Sequence, residues 1–174
     1  TASSPAVRII GSVKQGLTLT MEDLGRFEAV TARLNEVSTD KSFHGAFSYR
    51  GVPLRTLLDL AAIQKDKSDF SKSVDLAIVV KNKDGQQTVL SWGELYYRNP
   101  ADILIAFSAK PVMPHRECST CHTPEVFKKW LAPLNRTIVF PKLVVVNDFH
   151  SDRSLENITS IEVIDLHPQM TAKK

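Results

Sequence analysis

Tyr49-Arg50-Gly51-Val52-Pro53-Leu54-Arg55-Thr56-Leu57-Leu58-Asp59-Leu60-Ala61 holds the clearest structural signal in the chain. Gly51-Val52-Pro53-Leu54 reads as a turn into a helix, with Pro53 in the first turn, where its missing N–H forfeits no hydrogen bond. Leu54, Leu57, Leu58, Ala61 and Ala62 then recur at helical spacing and make one apolar, core-facing stripe.

Strand signals surround this helix. Before it come short apolar or alternating segments at Val7 to Ile10, Leu17 to Thr20, Ala29 to Val37 and His44 to Tyr49. Thr20 with Asp23 predicts a capped helix from Met21 to about Phe27, and Ser38 to Ser42 predicts a polar turn. After the helix, Val74 to Val80 and Gln87 to Leu90 flank the turn Asn82-Lys83-Asp84-Gly85, which predicts a hairpin. Ser91-Trp92-Gly93-Glu94 is a capping-box pattern at the start of a short helix. Ile103 to Phe107, Leu143 to Val146 and Ile158 to Leu166 complete the strands. Many strands, few short helices and no βαβ rhythm predict an α+β fold with a mixed sheet.

The chain has 174 residues, 43% of them hydrophobic and 24% charged, which suits a single domain over 1–174 with a substantial core. Its 22 basic and 19 acidic residues leave a net charge of +3. The basic residues are scattered and form no run interleaved with aromatics, which argues against nucleic acid as a partner. No apolar run approaches the ~20 residues of a membrane span. Thr1-Ala2-Ser3-Ser4-Pro5-Ala6 is a small-residue polar opening of the kind left when an export signal is cut, so the expected location is periplasmic or otherwise exported.

The helix segment resembles the oxidoreductase molybdopterin-binding domain of the sulfite oxidase superfamily, in which a similar G-V-P-L-x-x-L-L helix occurs. Leu19-Thr20-Met21-Glu22-Asp23-Leu24, Leu143-Val144-Val145-Val146-Asn147-Asp148 and the stretch from Arg153 to Val163 are similar to further family segments, in the same order. The resemblance implies the mixed-sheet fold of that family. It also implies a molybdenum ligand, a cysteine just before the segment from Asn35 to Phe43. This chain has Leu34, Asn35 and Glu36 there and no cysteine, so the resemblance implies the fold without the family's thiolate–metal bond. The family's basic residue near the pterin phosphate is matched by Arg153, and an Arg can grip a phosphate with two N–H groups. Molybdopterin through Arg153 therefore stays among the expectations.

A second departure is an insertion at about 110–140, between the strand signals near Ile103 and Leu143. It carries the chain's two cysteines, in Cys118-Ser119-Thr120-Cys121-His122. Cys-x-x-Cys-His is an attachment signal for c-type haem: two thiols reach two vinyl groups and the adjacent imidazole ligates iron. His122 is that ligand on this reading, with Met113, His115, His150 or Met170 as candidates for the sixth position. His115, Cys118, Cys121 and His122 also offer two imidazoles and two thiolates to zinc. A third reading is a thiol pair before the helix that Thr123-Pro124-Glu125 caps, either redox-active or a local structural disulfide. The expected function is an exported redox or electron-transfer protein working with a redox partner protein. The alternative is a non-catalytic ligand- or partner-binding module stapled by the cysteines. No catalytic residue is assigned. Glu36, Asp40 and His44 read as a solvated turn, and Asp148, His150, Asp152 and Arg153 as a polar cluster after a buried strand.

Overall fold

The computed structural model of the chain describes residues 6–65, 67, 72–112 and 132–167. The strands are β1 (Val7–Gly11), β2 (Leu17–Leu19), β3 (Val30–Val37), β4 (Phe43–Pro53), β5 (Leu76–Asn82), β6 (Gln87–Ser91), β7 (Ile103–Pro111), β8 (Lys142–Val145) and β9 (Ile158–Asp165). Three short helices join them, α1 (Met21–Leu24), α2 (Leu54–Ala61) and α3 (Trp92–Tyr96).

The strands form two sheets rather than the single mixed sheet expected. One has the order β2-β1-β9-β5-β6 and is mixed, because β1 runs parallel to β9 while the other neighbours are antiparallel. The other has the order β3-β4-β7-β8 and is antiparallel throughout.

One core spans both sheets. Ile9 of β1, Ile78 of β5, Leu90 of β6, Ile105 of β7, Leu143 of β8 and Ile161 of β9 meet Leu54, Leu57, Leu58 and Ala61 of α2. Each of those leucines is fully enclosed, and such burial contributes about 1.5–3 kcal/mol per side chain. A second cluster lies on the opposite face of the antiparallel sheet, where Leu34, Phe47, Tyr49, Leu104, Ala106 and Val144 pack with Leu134. Adjacent residues of β7 and β8 thus enter different clusters. That is why these strands read as continuous apolar runs instead of alternating ones.

The helix signal at Leu54 is met, but Gly51 and Val52 belong to β4 rather than to a turn, and Pro53 is the N-cap of α2. The glycine serves a close strand contact. It sits at an irregularity in the β4–β7 pairing, where a Cβ would lie 2.4 Å from the Ile105 carbonyl oxygen and 2.5 Å from the Ala106 Cα. Ala62, placed in the apolar stripe by its spacing, instead caps α2 at φ 57°. α1 stops at Leu24, with Gly25 as its C-cap, and exposed Val74 lies in a 3-10 turn ahead of β5. β7 runs to Pro111, beyond its expected end at Phe107, because β4 pairs with it along that length.

Replacing Gly51 by Ala is expected to destabilise the protein by about 2 kcal/mol or more, because the obstructing atoms are backbone and cannot rotate away. Urea unfolding checks this: the midpoint falls while the slope stays constant, and an unchanged midpoint contradicts the packing described for this position.

Candidate functional site

Strand alternation decides the fate of the segment where the resemblance places a metal ligand. Leu34 and Glu36 point to one side of β3 and Asn35 to the other. Leu34 enters the second apolar cluster, Asn35 is exposed, and Glu36 is buried at 4% exposure. The solvated-turn reading of Glu36 is therefore corrected, although Asp40 and His44 do lie on the exposed connection and strand start that follow.

A bare buried carboxylate would be costly, and Glu36 is not bare. It accepts hydrogen bonds from the Tyr49 hydroxyl of β4, from Lys142 Nζ at 2.8 Å and from Arg136 Nη2. Lys142, at the start of β8, also donates to the Tyr49 hydroxyl at 3.0 Å, and its ammonium lies 3.6 Å from Glu156. Arg136 donates to Glu156 at 2.6 Å and to the His44 carbonyl at 3.2 Å. Two carboxylates and two cations thus balance around one phenol.

Burial drives the ionisation behaviour here. It pulls the Lys142 ammonium below the usual lysine range, against the pull of Glu36. It pushes the Tyr49 hydroxyl well above the usual phenol range, and its bond to Glu36 adds to the effect, so Tyr49 stays a neutral donor. Burial also opposes the charge on Arg136, but Glu156 and Glu36 outweigh it and hold its pKa above the ordinary value.

This cluster floors a cleft of about 330 Å³. Ser38 and His44 line it from the β3–β4 connection, Asn82, Asp84 and Gln86 from the β5–β6 hairpin, and Ser151, Asp152, Ser154, Leu155 and Glu156 from the segment before β9. Local bonds hold these walls. Asp152 accepts from the Thr39 amide and hydroxyl, both at 3.0 Å. Asn82 and Gln86 close the hairpin with bonds of 2.9 and 2.8 Å. Ser38 donates to Asp40 at 2.6 Å and lies 3.0 Å from His44 Nε2. With the serine proton given to Asp40, the imidazole Nε2–H is the donor in the second contact.

Arg153, matched by resemblance to a phosphate-binding residue, lies outside this cleft. Its guanidinium grips Asp148 with two bonds, of 2.8 and 2.7 Å, and bonds Glu94 of α3 at 3.0 Å. The Asp148 bonds, with Glu94 adding to them, raise its pKa further above the usual arginine value. The expected polar cluster therefore divides, with Asp148 and Arg153 tying α3 to the segment after β8, and Asp152 facing Thr39. His150 packs edge-on against exposed Phe149, and its Nδ1 is buried with no hydrogen-bond partner among the described residues. Met113, His115, Cys118, Cys121, His122 and Met170 lie outside the described residues. Among those described, no group of three or more His, Cys, Asp or Glu is placed to hold a metal.

No family model matches the chain, and no curated protein matches it. A solved structure does: the sulfane dehydrogenase SoxCD from Paracoccus pantotrophus superposes at a TM-score of 0.62 with 17% identity, over 91% of this chain and 38% of that one. The chain spans well under half of that neighbour's length. The likeness supports the sulfite-oxidase-like fold that the resemblance implied.

Among the described residues, the stretch from Leu34 to Glu36 offers no thiolate to a molybdenum centre. In the region where the resemblance asks for a thiolate, Leu34 is packed in the second apolar cluster, Asn35 is exposed, and both oxygens of Glu36 are taken by Tyr49, Lys142 and Arg136.

Two measurements probe this geometry. Lys142→Met leaves Glu36 buried with one cation fewer and is expected to cost about 3 kcal/mol, while the double change Glu36→Gln with Lys142→Met costs less than the sum of the singles; additive costs in urea unfolding contradict the pairing. The Ser38 hydrogen bond, then those from Ser42, hold the Asp40 pKa at about 2. Because this folded value is depressed, the contribution of Asp40 to stability is present above its ordinary 3.8 and fades as pH falls through about 2. A carboxyl NMR titration is expected to show that low midpoint, moving upward in Ser38→Ala.

Proposed function

We propose that the chain is an exported redox or electron-transfer protein on a sulfite-oxidase-like fold, whose electron carrier is a c-type haem outside the cleft. The observation that supports this reading is the engagement of Glu36, which leaves neither a thiolate nor a free Glu36 oxygen for molybdenum among the described residues of the cleft floor. The redox role then falls to the other chemistry-bearing motif, with Cys118 and Cys121 as thioether anchors and His122 as the iron ligand. When bound, the haem supplies reversible one-electron chemistry at iron.

The described residues that flank the insertion both contact β4. On one side, the Val112 amide donates to the Ala46 carbonyl of β4 at 2.8 Å. On the other, Leu134 packs with Phe47 of the same strand. Both ends are thus seated on β4. The working partner on this reading is a soluble redox protein in the periplasm, which exchanges the electron.

The alternative is a non-catalytic binding module, with Cys118 and Cys121 as a local disulfide or, with His115 and His122, as a zinc site. The cleft supports it, since a concavity of about 330 Å³ is large enough for a small ligand.

Production of the chain in a periplasm competent for haem attachment separates the two. The haem reading expects an intact mass increased by one haem, a Soret band, and loss of the native visible spectrum in His122→Ala with the covalent mass retained. An unmodified mass with no Soret band overturns it. Thiol titration before and after chelation then distinguishes disulfide from zinc.

A further inference from the structure

We propose that the cleft above Glu36 is a binding site for a small organic cation, of the primary-ammonium or guanidinium class, received by Glu156 and Asp84. The cavity, at about 330 Å³, is of a size for a small molecule, and three separate chain segments enclose it.

Its chemistry follows from which groups are already spent. Arg136 directs its three nitrogens to the His44 carbonyl, Glu156 and Glu36. Lys142 directs its ammonium to Glu36 and Tyr49, and only 3% of its side chain is exposed. Among the described residues the lining therefore offers an incoming anion no uncommitted cation. Acceptors remain instead. Glu156 uses Oε1 for its ion pairs and keeps Oε2 open among the described residues, with 30% of its side chain exposed. Asp84 is exposed at the hairpin tip and pairs with no described residue.

Net charge agrees. Four carboxylates, Glu36, Asp84, Asp152 and Glu156, face two cations in the lining, an excess of two negative charges on a chain whose total is +3. A ligand that donates hydrogen bonds and carries positive charge meets both the acceptors and the field, whereas phosphate or sulfite meets neither.

The inference rests on the cleft being free of a molybdenum group and is independent of the haem, so a haem-free chain leaves it standing. Agmatine, which carries both an ammonium and a guanidinium, is the probe. Two-dimensional NMR titration of the full chain at low salt is expected to shift amides of the β5–β6 hairpin and of Ser151 to Glu156 in a saturable way. Asp84→Asn keeps the turn chemistry as Asn-Gly and is expected to weaken binding about two- to fivefold, and Glu156→Gln to weaken it at least as much. Sodium sulfate and inorganic phosphate are expected to leave these amides unmoved when ionic strength is matched. Saturable sulfate or phosphate binding in the cleft, agmatine shifts absent or unaffected by Asp84→Asn, or displacement of agmatine by stoichiometric magnesium or calcium each overturns the proposal.

Discussion

A carboxylate and an ammonium enclosed 2.8 Å apart, Glu36 and Lys142, set the conditions for the rest of this end of the molecule. Neither ion is tolerable there alone, since removing either from water costs several kcal/mol. Each requires the other, and together they require Tyr49 and Arg136 to occupy the remaining lone pairs and compensate the charge. Glu36 comes from β3, Tyr49 from β4 and Lys142 from β8, the two edges and one inner strand of a four-stranded sheet. Arg136 and Glu156 bring in the segments before β8 and β9. The cluster thus fixes in register parts of the chain up to 120 residues apart, from Glu36 to Glu156. A fully satisfied polar network gives orientation where apolar contacts would permit sliding.

The same saturation decides what the cleft can do. Donors that face a cavity but are committed to protein acceptors cannot serve a ligand, and here both cations are committed. The fold leaves a concavity floored by a carboxylate that the protein itself neutralises, and no described residue there supplies the thiolate that the resemblance implies. Fold and site are separable in this way because the sheets depend on the two apolar clusters, and the chemistry depends on a handful of side chains at their edge. Redox activity, on the reading proposed here, then belongs to the insertion between β7 and β8.

Apolar periodicity made most of the elements legible. The stripe of Leu54, Leu57 and Leu58, the Thr20 and Ser91 caps and the Asp84-Gly85 hairpin are local signals, and each element starts where its signal placed it, although α1 ends at Leu24, short of Phe27. Gly51 was misread because a glycine before a proline suggests a turn, whereas its cause is a strand crossing close to it from β7, which no local pattern reports. The division into two sheets was equally hidden, since pairing is non-local. At the site, Glu36 looked solvated beside Ser38, Thr39 and Asp40. Its burial depends on Lys142, 106 residues away. A faint signal existed: Lys142 opens an apolar strand and Glu36 follows Leu34 at strand spacing, so two opposite charges sat at core-facing positions. Arg136 and Glu156 carried none, because they come from irregular segments. The resemblance drew attention to this stretch of β3 but carried no information on what its side chains contact.

That the protein's own ions, and no molybdenum group, occupy the floor of this cleft is the reading proposed here. Its most direct test is the molybdenum and pterin content of the intact chain purified from cells that make the molybdenum cofactor, measured by elemental mass spectrometry and by fluorescence of the oxidised pterin. The account expects both to remain at the level of a mock purification. One molybdenum and one pterin per chain would contradict it.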